Sequence, residues 1–270
     1  SFHNVNAGAL VPVIAPATTN LSGLTSLRNL TLIYPNTSIN LPGLTASGTL
    51  TITAGASITD SGPSIVPGTS VLNAGGNITL DEPGNSFGTV SLAGGTITLV
   101  NVTAVNLAGV NASSSFSLQN SGNLTISSAI NSGASVSLVS SGGDLIINAG
   151  INSGGNMDLR ATVGSVTANG AGNISSGGTL TVTAGSNVQL AGASANGAFL
   201  VTAGGSASFG TLSGGGSLTV NTSGVTTFGG GVSGFSSLVT DAGGSTTISG
   251  VTLGLSGNFT FNDAVVLGNN

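Results

Sequence analysis

The stretch that decides the fold is Gly177–Ala193, which reads GGTLTVTAGSNVQLAGA. Leu180 and Val182 are apolar and are separated by a threonine, which is the period-2 alternation of a strand with one buried face. A TAGSN turn follows, in which glycine is expected to supply a positive φ. Residues 187–190, NVQL, repeat the alternation as a second short strand. The stretch therefore predicts a unit of strand, turn, strand and corner.

This unit recurs along most of the chain. Its first strand begins at Leu50, Val71, Val90, Phe116, Val136, Met157, Leu180, Phe199, Leu218, Leu238 and Phe259. Ten steps separate positions 50 and 259, so the mean spacing is about 21 residues. The third residue of each triplet is also apolar, except at Asn73 and Thr240. A period of this length is typical of solenoid architectures.

We predict an all-β fold, a parallel β-helix (β-solenoid) of about eleven coils of about 21 residues each. One such unit cannot bury its apolar side chains alone, but stacked coils place each apolar column on itself and form a continuous core. An antiparallel β-sandwich is the alternative. It predicts loops of varied length rather than the same turn recurring in register.

Two intervals are longer than the mean. Val90 and Phe116 are 26 residues apart, and we attribute the excess to an inserted strand-like run at residues 96–102, TITLVNV. Met157 and Leu180 are 23 apart, with the surplus at residues 168–172, ANGAG. Insertions in a solenoid are expected at corners, where they alter one coil without breaking the stack.

The chain is predicted to have two parts. All seven prolines lie in the first 83 residues, and residues 1–43 do not fit the repeat. We interpret 1–43 as an irregular amino-terminal cap or as a segment that pairs with a neighbouring molecule, and 44–270 as the solenoid. The last coil, residues 257–267, is among the most apolar and shows no amphipathic helical cap. We expect either a longer array or head-to-tail pairing of solenoid ends.

Composition excludes several classes of protein. Only 3% of the residues are charged, with 2 Lys+Arg, 7 Asp+Glu and a net charge of −5. Nucleic-acid binding and polybasic membrane docking both need several cations, so neither is expected. An apolar content of 39% and a mean hydropathy of +0.47 argue against disorder. There is no cysteine and no apolar run of about 18 residues, so we expect neither disulfides nor a transmembrane segment.

Candidate catalytic chemistry is sparse. His3 is the only histidine and has no carboxylate nearby in sequence, which disfavours a catalytic triad. Asp81 and Glu82 precede a Pro-Gly-Asn turn and could form a weak Ca²⁺ loop, although a solvated corner is the simpler interpretation. Asp158 and Arg160 are placed on one strand face, where they could form an exposed ion pair of little energetic weight. We therefore predict no catalytic, cofactor or metal site, no cofactor and no enzymatic activity.

Threonine arrays such as residues 49–53, TLTIT, raise the possibility of ice binding. A flat ladder would need threonine at one outward position in successive coils. That column is interrupted by Leu72, Asp158 and Leu200, among others. The sequence does not favour this function.

Four phrases of the chain carry a family resemblance: residues 48–62, GTLTITAGASITDSG; residues 72–101, LNAGGNITLDEPGNSFGTVSLAGGTITLVN; residues 121–133, SGNLTISSAINSG; and residues 177–193. They resemble the repeats of filamentous-haemagglutinin-like and related β-strand-repeat surface proteins of bacteria. The resemblance covers roughly residues 44–267. It implies a right-handed parallel β-helix, export through an outer-membrane partner, and service as an adhesin or surface fibre.

The leading expectation for function is a non-enzymatic extracellular structural protein that self-assembles, head to tail or laterally, into a cell-surface filament or matrix. Its nearly uncharged surface favours association over dispersal. The alternative is the adhesive shaft of a large secreted haemagglutinin-like adhesin. The expected partners are further copies of the chain, with cell-surface glycans or receptors as a second class. A carbohydrate-active β-helix enzyme is a third, less favoured class.

Overall fold

A computed structural model describes residues 13–14, 27–170 and 172–268 of the chain. The chain divides into two compact units, Ser1–Gly133 and Ala134–Asn270, here called the first and the second unit. Within the described residues both units consist of strands, turns and bends, without helices. No described segment forms a helix of the length and hydrophobicity needed to cross a bilayer.

The first unit contains eleven described strands. They are β1 Val13–Ile14, β2 Leu30–Tyr34, β3 Ile39–Thr45, β4 Leu50–Ala54, β5 Ile58–Ala74, β6 Ile78–Leu80, β7 Ser86–Gly94, β8 Ile97–Asn101, β9 Val105–Ala112, β10 Phe116–Asn120 and β11 Leu124–Ser132. Strands of successive coils pair with one another in parallel. One column of paired residues runs through Leu30, Leu50, Ser70 and Val90. Long strands such as β5 pass around a corner, so their two ends belong to different sides of the coil.

The second unit contains eighteen described strands. They are β12 Val136–Ser140, β13 Leu145–Ile147, β14 Ile151–Ser153, β15 Met157–Ala161, β16 Val166–Ala168, β17 Ile174–Ser176, β18 Leu180–Ala184, β19 Val188–Ala195, β20 Phe199–Ala203, β21 Ala207–Gly214, β22 Ser217–Thr222, β23 Val225–Phe228, β24 Val232–Ser233, β25 Ser237–Thr240, β26 Ser245–Ser249, β27 Leu253–Gly254, β28 Phe259–Thr260 and β29 Ala264–Gly268.

Three rows of parallel strands form the sides of the second unit. Row A contains β12, β15, β18, β20, β22, β25 and β28. Row B contains β13, β16, the first parts of β19 and β21, β23, β26 and β29. Row C contains β14, β17, the second parts of β19 and β21, β24 and β27. The predicted all-β parallel β-solenoid is confirmed.

The cores consist of inward columns in register. In row A, Met157, Leu180, Phe199, Leu218 and Leu238 pair in sequence and are buried. The residues between inward positions face outward and are half-buried or exposed. The period-2 alternation read from Leu180 and Val182 is therefore correct.

The predicted start of the repeat at Val71 was wrong by one residue. Ser70, not Val71, pairs with Leu50, and Leu72 pairs with Ile52. Ser70 and Leu72 are buried, whereas Val71 is half-buried and Asn73 is exposed. Asn73 thus does not interrupt the inward column. The local pattern allowed both phases because apolar residues stand at 71 and 72, and main-chain pairing with β4 decides between them.

The insertion predicted at residues 96–102 was also wrong. Ile97–Asn101 is the regular strand β8, which pairs with β6 on one side and β10 on the other. Phe116 stacks on Ile97, whereas Val90 pairs with Leu107 on another side of the coil. Val90 and Phe116 were predicted to be equivalent positions of successive coils, but they lie on different sides of the coil. The error arose because the strands of all three sides carry the same alternation. The surplus at 168–172 is confirmed, since it lies in the corner between β16 and β17.

The predicted segment 1–43 is described only in part. Leu30–Tyr34 and Ile39–Thr45 already have solenoid form, and they pair in register with β4 and β5. Val13–Ile14 pairs with Leu32 and Ile33. Residues 1–12 and 15–26 lie outside the described residues, so a capping or pairing role for the segment stays a prediction.

Glycine in the TAGSN turn and in the equivalent turn at Gly204 serves close approach rather than positive φ. Positive φ occurs at Gly43, Gly109, Gly234, Gly244 and Gly250 among the described glycines, and not in the TAGSN turn. A Cβ at Gly204 would overlap the carbonyl oxygen of Gly185, the equivalent turn residue one coil earlier. The Gly204 turn therefore requires glycine because two backbones meet there.

We expect Gly204→Ala to destabilise the second unit by about 1–3 kcal/mol, because the added methyl group has no space. Gly170→Ala is the matched control, since a Cβ at Gly170 has no neighbour within 4 Å. Urea unfolding followed by circular dichroism measures both. Equal unfolding free energies for the two variants would contradict the close-approach argument.

Candidate functional site

Asp60 is the centre of a polar cluster in the first unit. Its carboxylate accepts hydrogen bonds from the Asn85 side-chain amide at 2.6 Å and from the Asp81 backbone N–H at 3.1 Å. Partial burial raises the pKa of Asp60 above its usual range, and these hydrogen bonds oppose the shift. The arrangement orders the turn that contains Asp81 and Glu82. Among the described residues no three His, Asp or Glu side chains come together as a metal-binding group.

A buried amide network lies beside this cluster. Asn101 accepts a hydrogen bond from the Phe87 N–H at 2.6 Å, and its side-chain nitrogen donates to the Asn120 side-chain oxygen at 2.9 Å and to the Thr103 carbonyl at 2.7 Å. Asn101 and Asn120 are paired strand residues and are buried. Their amides are occupied by structural bonds. Sequence reasoning missed these two asparagines, although an asparagine ends both of the alternating segments ITLVN and FSLQN.

Asp158 and Arg160 lie in row A of the second unit. Burial of the carboxyl group raises the pKa of Asp158, and the charge of Arg160 acts in the opposite direction. Asp158 also occupies the outward column formed by Ser137, Asp158, Thr181, Leu200, Thr219, Val239 and Thr260. In this unit the predicted interruption of the threonine ladder is confirmed. In the first unit the outward residue next to Thr51 is Val71 and not Leu72.

The described end of the second unit has a polar interior and an apolar edge. Asp263 accepts hydrogen bonds from the hydroxyls of Thr240 and Thr246 at 3.1 and 3.0 Å, and both threonines are buried. Beside it, Phe259 is 41% exposed and Leu267 is 75% exposed. We call Phe259, Val265 and Leu267 the apolar edge.

The apolar edge continues the inward columns of the fold. Phe259 pairs with the buried Leu238, Val265 pairs with the buried Thr246, and Leu267 pairs with Ile248. Strands β28 and β29 each pair with one strand of the preceding coil, and the described residues contain no strand on their other side. The geometry of this edge suits a further parallel coil.

A shallow groove of about 310 Å³ crosses row C. We call it the serine groove; its lining residues are Asn173, Ile174, Ser175, Gly192, Ala193, Ser194, Thr211 and Ser213. Ser175, Ser194 and Ser213 pair in register, so their hydroxyls recur about every 4.8 Å. The lining contains no charged side chain. Such a surface can offer hydrogen bonds to an uncharged, hydroxyl-rich ligand.

The other sequence candidates do not come together. Arg28 is exposed in the first unit, and His3 lies outside the described residues. No ion pair joins Asp158 to Arg160 in the part of the chain that the structure describes, although Arg160 influences the titration of Asp158.

Comparison with protein families gave a match to part of the chain. A family model described as "Repeats of unknown function (DUF5649)" matches residues 27–93, which run from Leu27 into β7. Comparison with curated proteins and with solved structures gave no match. The family match agrees with a repeat protein of β-solenoid fold.

We expect Asp158→Asn to change how stability depends on pH. A raised folded pKa means that the native protein keeps this proton where the unfolded chain, with a pKa near 3.8, has lost it. The resulting stability is fully present below the unfolded pKa and is lost as pH rises through the folded pKa. The unfolding free energy of Asp158→Asn should not fall over this pH range, because asparagine does not titrate, and the variant should be more stable than the wild type at neutral pH.

Urea titrations between about pH 3 and about pH 6 span the relevant window. Arg160→Gln is the companion variant, because removal of the opposing charge should enlarge the loss of stability with rising pH. If the pH profiles of Asp158→Asn and the wild type coincide, burial does not set the titration of Asp158.

Proposed function

We propose that this protein is a non-enzymatic extracellular structural protein, a β-solenoid subunit that self-assembles into a cell-surface filament or matrix. The single observation that carries the proposal is the apolar edge. Its side chains stand in inward columns, yet Leu267 is 75% exposed. A coil of a second molecule stacked on β28 and β29 would bury these side chains and pair their free main-chain groups.

Charge supports the same proposal. The chain has 2 Lys+Arg and 7 Asp+Glu, so few like charges oppose one another when copies stack. Asp263, the carboxylate at the described end, is engaged by the hydroxyls of Thr240 and Thr246. Association through this edge would therefore meet little electrostatic repulsion.

We expect the 270-residue protein to assemble with rising concentration and Leu267→Asp to weaken that assembly. Burial of one leucine contributes about 1.5–3 kcal/mol, so the concentration for half-assembly should rise at least about tenfold. Sedimentation velocity and electron microscopy of the purified protein measure the change.

Val163→Asp is the matched control, because Val163 is 59% exposed in the same unit but lies outside the edge strands. It should assemble as the wild type does. Dispersed single particles of wild-type protein at every concentration would refute self-assembly, and equal losses in both variants would refute the role of the edge.

The second candidate function is the adhesive shaft of a large secreted adhesin of the haemagglutinin-like type. In that case the edge is covered by a further coil of the same polypeptide. The serine groove favours this candidate, because three serines in register and Asn173 line an uncharged recess. The Ser194 hydroxyl donates to the Ile174 carbonyl at 3.4 Å and keeps its acceptor capacity for a ligand. Cell-surface glycans are the partner class whose hydroxyl groups match such a surface.

If the groove binds glycans, we expect Ser194→Phe to abolish binding, since the phenyl ring would fill the groove. Ser208→Phe is the control, because Ser208 is exposed in row B, outside the groove. A glycan array probed with the three proteins tests this. Wild-type protein that binds no glycan, or a Ser208→Phe variant that loses binding as fully, would contradict the adhesin proposal.

A further inference from the structure

Two Asn-Gly dipeptides occur in the chain, Asn169-Gly170 and Asn196-Gly197, and both lie in the second unit. An asparagine followed by glycine can cyclise, because glycine has no Cβ to shield its backbone nitrogen from the preceding side chain. Both asparagines are exposed. Their backbone surroundings differ, so the fold should treat the two sites differently.

Gly170 lies in the enlarged corner between β16 and β17. It is exposed, no heavy atom lies within 4 Å of a Cβ placed on it, and no hydrogen bond to its amide is found among the described residues. The Asn169 side chain donates to the Asn148 side-chain oxygen at 2.6 Å. That contact lies at the exposed surface of the corner, and no main-chain bond to a neighbouring coil holds the Gly170 nitrogen among the described residues.

Gly197 lies in a tight turn between β19 and β20. Its N–H donates to the Gly178 carbonyl one coil away at 2.8 Å. The asparagine N–H is bonded to the preceding coil at both sites, Asn196 to the Ser176 carbonyl at 3.1 Å and Asn169 to the Ile147 carbonyl at 3.0 Å, so the two sites differ at the glycine nitrogen. A Cβ on Gly197 would touch the Gly178 backbone at 3.0 Å. The nitrogen that must attack is therefore held by its neighbour coil and crowded.

We propose that Asn169 is a site of spontaneous self-modification by deamidation and that Asn196 is protected by the fold. The Gly170 backbone nitrogen loses its proton and attacks the Asn169 Cγ; the new C–N bond closes a succinimide ring. The Cγ–Nδ2 bond breaks, and the nitrogen leaves as ammonia after taking up the proton. Water then opens the ring at either carbonyl and yields aspartate or isoaspartate. No oxidant, reductant or cofactor takes part.

Deamidation changes the charge of the exposed corner more than it changes the pairing of strands between coils. The product carboxylate replaces a donor that faced the Asn148 oxygen, and it adds one negative charge to a chain whose net charge is −5. The change lies in an exposed corner, where an altered backbone disturbs one coil only. We expect the flanking strands, β16 in row B and β17 in row C, to keep their pairing.

The experiment is incubation of the folded 270-residue protein at mildly alkaline pH, followed by peptide mass spectrometry and isoaspartate detection at both sites. We expect Asn196 to convert at least about ten times more slowly than Asn169, because its attack first requires loss of an inter-coil hydrogen bond. In denaturing urea the two sites should convert at similar rates. Gly170→Ala should slow Asn169 while leaving Asn196 unchanged.

Two results would overturn the proposal: equal rates at both sites in the folded protein, or conversion of Asn196 ahead of Asn169. Persistence of unmodified Asn169 when both sites convert in urea would do the same, since it would show that the corner protects the side chain. We expect Gly170→Ala to keep the fold intact, because its Cβ enters open space, and circular dichroism of the variant checks this. The comparison therefore separates chemistry from unfolding.

Discussion

The structure of each unit depends on main-chain hydrogen bonds between equivalent positions of successive coils. In the first unit the Gly75 N–H donates to the Ala54 carbonyl at 2.9 Å, and in the second the Gly204 N–H donates to the Ala184 carbonyl at 3.0 Å. These bonds hold the coils about 4.8 Å apart. At that spacing a turn backbone leaves no room for a Cβ above it, so Gly204 stacks on Gly185.

The same spacing controls where polar and charged groups can lie. A polar side chain inside the stack is stabilised by a partner in its own turn or one coil away, because an unpaired buried amide or hydroxyl costs free energy. Asn101 and Asn120 meet this requirement by bonding to each other, and Asp263 meets it for two threonine hydroxyls. Like charges in one outward column would repel at this distance, which accounts for the scarcity of charged residues on the strands. The outward faces are left with hydroxyl and amide groups, the chemistry of the serine groove.

Much of the fold could be predicted from alternation and period. Leu180, Val182, Val188 and Leu190 are buried as the pattern indicates, and the corner at 168–172 holds the expected extra residues. Which of residues 70 and 71 faces inward could not be predicted, because Val71 is apolar and Ser70 is polar, yet Ser70 is the one that pairs with Leu50 in the inward column. The buried Ser70 hydroxyl has no partner among the described residues. The candidate surfaces were harder to predict, because the serine groove joins residues from three coils and the apolar edge depends on which strand stacks on which.

By itself, the sequence determined the class of fold, the approximate repeat and the near absence of charge. These properties need no knowledge of contacts, since period-2 alternation and turn glycines can be read within one coil and the repeat is their spacing along the chain. Only the tertiary structure decided which side of the coil each strand occupies, which glycines meet a backbone, and which asparagines are buried. The three sides carry the same alternation, so one-dimensional spacing cannot tell Ile97 from Val90 as the partner of Phe116. Main-chain pairing between coils resolves the choice, because a shift of one residue would turn every inward side chain outward.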